Sequence, residues 1–159
     1  MKTLILVIAC TVFWVAPASA KESAQLLNVI DGDSLLVHYG NEARQVRLIG
    51  VDAPEGRQEY GKEARAAALR LCYGKPVSLE FDAERKDRYG RLLAYVHCGG
   101  VMLNEALVGK GLALTIRVKP NVRHLERLRL AETRARENRK GFWLRGGLQK
   151  TPAQWRAAN

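Results

Sequence analysis

The sequence is poor in the residues that usually carry nucleophilic or transition-metal chemistry. Only three histidines occur, His38, His97 and His124; they share no catalytic spacing and read as structural or surface residues. Of the three cysteines, Cys72 and Cys98 have no histidine or second cysteine at ligand spacing, which argues against a structural zinc site. Long apolar runs are also missing. The stretch Leu4 to Val15, broken only by Thr11, is about a dozen residues where a bilayer span needs about 20. No repeat or low-complexity linker divides the chain, and 159 residues suit one domain with one core, with no room for a second catalytic domain. Acidic residues are scarce, 16 against 26 lysines and arginines, for a formal net charge of +10.

What is present begins with an export signal. Met1-Lys2-Thr3 is a basic start, Leu4 to Val15 an apolar centre, and Pro17-Ala18-Ser19-Ala20 a small-x-small site ahead of Lys21-Glu22. That is the pattern of a secretory signal peptide cleaved after Ala20. The expectation is an exported protein, periplasmic or secreted, with no stable membrane association after cleavage. Cleavage removes Lys2 and no acid, leaving 25 basic against 16 acidic side chains, net +9. Such an excess favours a polyanionic partner through counterion release and steering, although it also serves solubility. Cys72 and Cys98 then remain where disulfides persist. Their even number suggests a bridge, worth about 3.5 kcal/mol in the chain-entropy model; two buried thiols are the alternative.

Hydrophobic patterning places the elements. Leu27 and Val29 alternate with Leu26, Asn28 and Ile30 from Gln25 up to the turn signal Asp31-Gly32-Asp33. Ser34 to His38 is a second strand, Tyr39-Gly40-Asn41-Glu42 a turn, and Ala43 to Val51 a third strand, together a meander. Asp52-Ala53-Pro54-Glu55-Gly56 breaks regular structure, because Pro54 keeps Ala53 extended and has no N–H to donate. Glu59 to Cys72 carries Tyr60, Ala64, Ala67, Ala68 and Leu71 at helical spacing, and Tyr73-Gly74-Lys75-Pro76 stops it. Val77 to Phe81 and Arg91 to His97 are two more strands, followed by helices over Val101 to Gly109 and Val122 to Lys140. The predicted fold class is α+β: a five-stranded OB-type β-barrel with three packed helices in βββαββαα order. It fills residues 21–145, with 146–159 a loose tail.

Three short pieces hold the side chains able to do chemistry: Asp31-Gly32-Asp33, the run Arg47-x4-Asp52-x-x-Glu55, and Asp87-Arg88-Tyr89-Gly90-Arg91. Each alone is commonplace. Asp31 and Asp33 suit a turn, Asp52 and Glu55 precede a helix they would equally cap, Arg47 fits an outward strand position, and Arg91 a loop charge. Together and in this order they resemble the staphylococcal nuclease (thermonuclease) family. The likeness runs through Val29-Ile30-Asp31-Gly32-Asp33-Ser34, then Val46-Arg47-Leu48-Ile49-Gly50-Val51-Asp52-Ala53-Pro54-Glu55, then Tyr60-Gly61-Lys62-Glu63-Ala64. It continues with Asp87-Arg88-Tyr89-Gly90-Arg91-Leu92-Leu93-Ala94-Tyr95, Leu103-Asn104-Glu105-Ala106-Leu107-Val108 and Lys119-Pro120-Asn121, so that it covers about residues 26 to 143.

The resemblance implies an exported, metal-dependent nuclease that hydrolyses DNA and RNA, single-stranded or melted, with little sugar specificity. It implies one calcium ion, rather than magnesium, held by Asp33, Asp52 and the backbone carbonyl of Ala53. Glu55 contacts the attacking water as general base or positioner, and Arg47 and Arg91 bind the phosphodiester. Arg88, Tyr89, Arg117 and Lys119 are further substrate-binding candidates, and a monomer is expected.

The residue chemistry agrees with that reading. A phosphodiester gains negative charge as water adds, so catalysis is mainly positioning and placement of positive charge. Arginine suits the task because its planar fork donates two bonds to phosphate and stays charged. Two carboxylates with carbonyls and waters suit a hard cation, which activates water, while a third carboxylate orders or deprotonates it. Spacing adds a structural expectation: Arg47 and Asp52 are five apart and face opposite sides of an unbroken strand. Gly50 or the approach to Pro54 must therefore bulge or end the strand.

The chain also departs from the best-known members. Ala53 stands where they carry threonine, the loop Gly56-Arg57-Gln58-Glu59 is short, and Leu114-Thr115-Ile116-Arg117-Val118 replaces tyrosines that face base and phosphate. Base preference is therefore not carried over. Two other readings compete. A catalytically silent nucleic-acid-binding OB-fold module would not need the five residues Asp33, Arg47, Asp52, Glu55 and Arg91, and a small structural secreted module would leave them without a common purpose.

Overall fold

The computed structural model describes residues 20–159, so the expected export signal lies, but for Ala20, outside the described residues. The alternating segments form the predicted meander. Strand β1 (Glu22–Val29) runs antiparallel to β2 (Ser34–Tyr39), and β2 antiparallel to β3 (Glu42–Leu48). After helix α1 (Gly61–Cys72), β5 (Val77–Glu80) pairs with β1 and with β6 (Leu92–Cys98). Parallel pairing of β3 with β6, Val46 opposite Leu92 and Leu48 opposite Ala94, closes the five strands into a barrel. Closure removes sheet edges and lets inward residues such as Val29, Leu35, Val37, Val46 and Leu79 fill one core.

Helices cover the barrel with the faces their spacing foretold. Helix α1 buries Ala64, Ala67, Ala68 and Cys72, and α3 (Leu125–Glu137) buries Leu125, Leu128, Ala131 and Ala135. Between them, α2 (Leu103–Gly109) packs against α3 and α1. A disulfide joins Cys72, at the end of α1, to Cys98, at the end of β6.

The structure differs from the predicted elements where local signals compete. The third strand was expected over Ala43 to Val51 but is two: β3 stops at Leu48, Ile49 and Gly50 turn, and β4 (Val51–Asp52) pairs instead with β8 (Leu114–Thr115). Gly50 makes this turn with φ of 75°, a conformation that favours glycine. Two-residue β7 (Val101–Met102) delays α2, and α1 starts at Gly61 because Tyr60 lies at φ of 63°. Within the stretch 146–159, expected to be a loose tail, Pro152–Ala158 forms a further α-helix, α4. Its start is a capping box: Thr151 Oγ1 accepts from the Gln154 amide, and the Gln154 side chain accepts from the Thr151 amide.

The strand break is held from outside by Asn104. Its side chain is fully buried, accepts from the Val96 amide at 3.0 Å and donates to the Ile49 carbonyl at 2.8 Å. Removing it orphans both backbone groups, and an unmade buried bond costs about 1–3 kcal/mol. Asn104→Ala is therefore expected to lower stability in urea unfolding by about 2–6 kcal/mol, summed over the two bonds. A loss below about 0.5 kcal/mol would show that water replaces the side chain without penalty.

Candidate active site

At one end of the barrel, three pieces of chain distant in sequence converge. The β1–β2 turn supplies Asp33, whose amide donates to Asp31 Oδ1 at 3.0 Å in a local Asx-type turn. Gly32 is required by close approach, since a Cβ there would stand 2.6 Å from Ala53 Cβ and 2.8 Å from Ala64 Cβ. That approach lets Asp33 Oδ2 accept from the Ala53 amide at 2.7 Å, coupling the turn to the segment bearing Asp52 and Glu55.

The turn at Ile49 and Gly50 puts Arg47 and Asp52 on one side. Arg47 spans the break: it donates to the Val51 carbonyl at 2.9 Å and the Leu48 carbonyl at 3.2 Å, and pairs with Asp33 at 2.9 Å and Asp52 at 3.2 Å. Both aspartates are nearly sealed from solvent, 5% and 4% exposed. Burial pushes the Asp33 carboxyl up to about 7, against the pull of the Arg47 charge and with further upward pressure from Asp31 and Asp52. Glu55 is more open, and Gln58 Oε1 accepts from its amide at 3.2 Å.

Arg91 comes from the loop before β6. Its Nε donates to Asp87 Oδ2 at 2.7 Å, while Asp87 Oδ1 accepts from the amides of Tyr89 and Arg91. These bonds hold the Asp87 carboxyl below the usual range even though burial raises it. Tyr89 lies against both Arg88 and Arg91, at cation–π distances of 4.8 and 5.6 Å.

Asp33, Arg47, Glu55, Tyr89 and Arg91 line one cavity of about 360 Å³. Arg47, Tyr89 and Arg91 also line a neighbouring groove that extends past Arg88 to Ile49, Ile116 and Val118. Arg117 and Lys119, candidates from the sequence, are exposed residues of the same segment and do not line that groove. His97 and His124 converge away from the cavity on the buried carboxylate of Glu80, each at 2.9 Å, as structural partners.

Sequence reasoning missed Arg156. From α4 it donates to both oxygens of Asp52 at 3.1 Å and to Glu55 Oε1 at 2.7 Å. These bonds, to Asp52 first, raise the guanidinium's already high pKa further. A signal for α4 existed in Thr151-Pro152-Ala153-Gln154, a capping box with proline at the first helical position. Asp87 was seen as part of its motif but not as the residue that orients Arg91.

The donor set fits a hard divalent cation. Two buried carboxylates share the guanidinium of Arg47, and Asp52 also meets that of Arg156, so positive charge is already accommodated beside them. No group of three or more His, Cys, Asp and Glu with metal-holding geometry occurs among the described residues. Protein carboxylates would thus supply two ligands, with carbonyl and water oxygens completing the set.

The family model described as "Staphylococcal nuclease homologue" matches residues 45–145. A thermonuclease of Staphylococcus hyicus is 39% identical over 129 residues, covering 77% of this chain and 76% of its own length. Endonuclease YncB of Bacillus subtilis is 36% identical over 141 residues, covering 80% of this chain and 67% of its own. A thermonuclease of Staphylococcus intermedius is 37% identical over 130 residues, with coverage of 78% and 77%.

Proposed function

This chain belongs to the staphylococcal nuclease family, and from that premise we propose that it is an exported, calcium-dependent nuclease cleaving DNA and RNA with little sugar specificity. The observation that carries the reading is the convergence of Asp33, Arg47, Glu55 and Arg91 on one cavity, with Asp52 joined to them through Arg47. A purely binding OB barrel gains nothing from burying two carboxylates beside a phosphate site, since their charge repels the ligand.

In this reading Asp33, Asp52 and the Ala53 carbonyl would hold the calcium ion. When bound, the ion polarises a phosphoryl oxygen and lowers the pKa of nearby water. Glu55, at the open rim, accepts the proton of the attacking water and keeps that water in line with the phosphorus. Arg91, fixed by Asp87, donates to the non-bridging oxygens as they gain charge. Arg47, in the same cavity, is the second arm of the phosphate clamp and ties the two aspartates together. The basic surface draws the polyanion toward the cavity, and Arg88 and Tyr89 border the groove along which the strand continues.

The test is direct. The purified protein, incubated with plasmid DNA and with structured RNA in calcium, is expected to degrade both. Retardation of either nucleic acid without strand scission would instead establish the silent binding module.

A further inference from the structure

Beyond residue 145, where the family match ends, one side chain enters the site. The guanidinium of Arg156 occupies both oxygens of Asp52 and one of Glu55. Two-pronged arginine–carboxylate pairing is the strongest form of such contacts. Here it is made to the carboxylate assigned to a cation, with one further bond to the carboxylate assigned to a proton.

The surrounding chain delivers Arg156 to this position. Gln58 Nε2 donates to the Lys150 carbonyl at 2.6 Å, and the Gln149 amide donates to Glu59 Oε1 at 2.7 Å. Gln58 also accepts from the Glu55 amide, so one buried side chain fixes both the Glu55 loop and the start of α4. The hold is nonetheless light. α4 has seven residues, of which only Pro152 is buried, and the Arg156 side chain is 47% exposed.

We propose that α4 is an autoinhibitory cap in which Arg156 stands in for the divalent cation at Asp52 and covers Glu55, so that cation and substrate must displace it. The inference rests on the roles of Asp52 and Glu55 given above. A third phosphate-binding arginine is the rival role for Arg156. Three of its five N–H groups meet Asp52 and Glu55, while it lines the same cavity as Arg47 and Arg91, so the cleavage rate at saturating calcium separates the two roles.

Calcium binding measured by calorimetry at fixed pH and ionic strength tests this on the purified protein, Arg156→Ala and Gln154→Ala, with DNA cleavage followed in parallel. A cap closed nine-tenths of the time weakens apparent affinity about tenfold, so Arg156→Ala is expected to bind calcium about tenfold more tightly. Gln154→Ala keeps the charge and only breaks the capping box of α4. A smaller tightening in that variant separates uncapping from mere loss of a positive charge. Cleavage at subsaturating calcium should rise in the same order and converge at saturation. Equal calcium affinity in all three proteins overturns the cap while leaving the cation site standing. Slower cleavage by Arg156→Ala at saturating calcium also overturns it and makes Arg156 a substrate-binding residue. Absence of calcium binding in every variant overturns the cation site and the cap together.

Discussion

Chelating divalent cations is expected to slow phosphodiester cleavage by at least about 10³-fold, with activity restored by added calcium. A cation at a reacting phosphate supplies several kcal/mol of charge stabilisation, which converts to about that factor. The expectation follows from the electrostatics of the site. Asp33 and Asp52 are buried beside each other, and two like charges in a poorly solvated place are tolerated only with positive charge between them. Arg47 and Arg156 meet that need in the described structure, but a guanidinium has no empty orbital with which to coordinate a water and lower its pKa as a metal ion would. Gel and fluorescence assays with chelator, then with calcium or magnesium restored, measure the effect. Undiminished cleavage in chelator would move the chemistry onto the arginines alone and remove Asp33 and Asp52 from it.

Glu55→Ala and Arg91→Ala are each expected to lower kcat by about 10²–10³-fold while leaving the fold intact, as removal of a transition-state contact does. Fold integrity is expected because Glu55 and Arg91 are both partly exposed and neither belongs to the apolar core. The turn beneath Arg91 survives its truncation, since Asp87 Oδ1 still accepts from two backbone amides. Arg91→Lys should recover little, because an ammonium cannot reproduce the planar fork that bonds Asp87 and phosphate together. Circular dichroism with steady-state kinetics separates the effects. Activity within a factor of two of the parent in Glu55→Ala would leave water activation to another group, and the same result in Arg91→Ala would leave the phosphate to Arg47 and Arg88.

Much of the barrel was legible because period-two alternation and turn residues are local signals. Leu27 to Ile30, Ser34 to His38 and Val77 to Phe81 declare strands through their own spacing, as Ala64, Ala67 and Ala68 declare a helix face. The break at Ile49 and Gly50 followed from a conflict between spacing and chemistry: Arg47 and Asp52 could share a site only if the strand ended. Helix α4 escapes a sequence reading, although Thr151, Pro152 and Gln154 mark its start, because it is one short helix in which Trp155 is the sole large apolar side chain. Sequence periodicity is weak over seven residues, and such a helix persists only through tertiary contacts.

The sequence by itself determined which side chains are able to do the chemistry. Arginine and carboxylate character is a property of the residue, and their order within short motifs survives any arrangement of the loops between them. Tertiary structure decided what those side chains touch. Arg156 meets Asp52 and Glu55 across more than a hundred residues, and Arg47 turns inward to bond Asp33 and the carbonyls of its own broken strand. Such contacts are fixed by barrel closure through β3 and β6, by the burial of Gln58, and by the desolvation that forces each buried carboxylate to find a cation. None of these is a local property of the chain, so no window of sequence contains them.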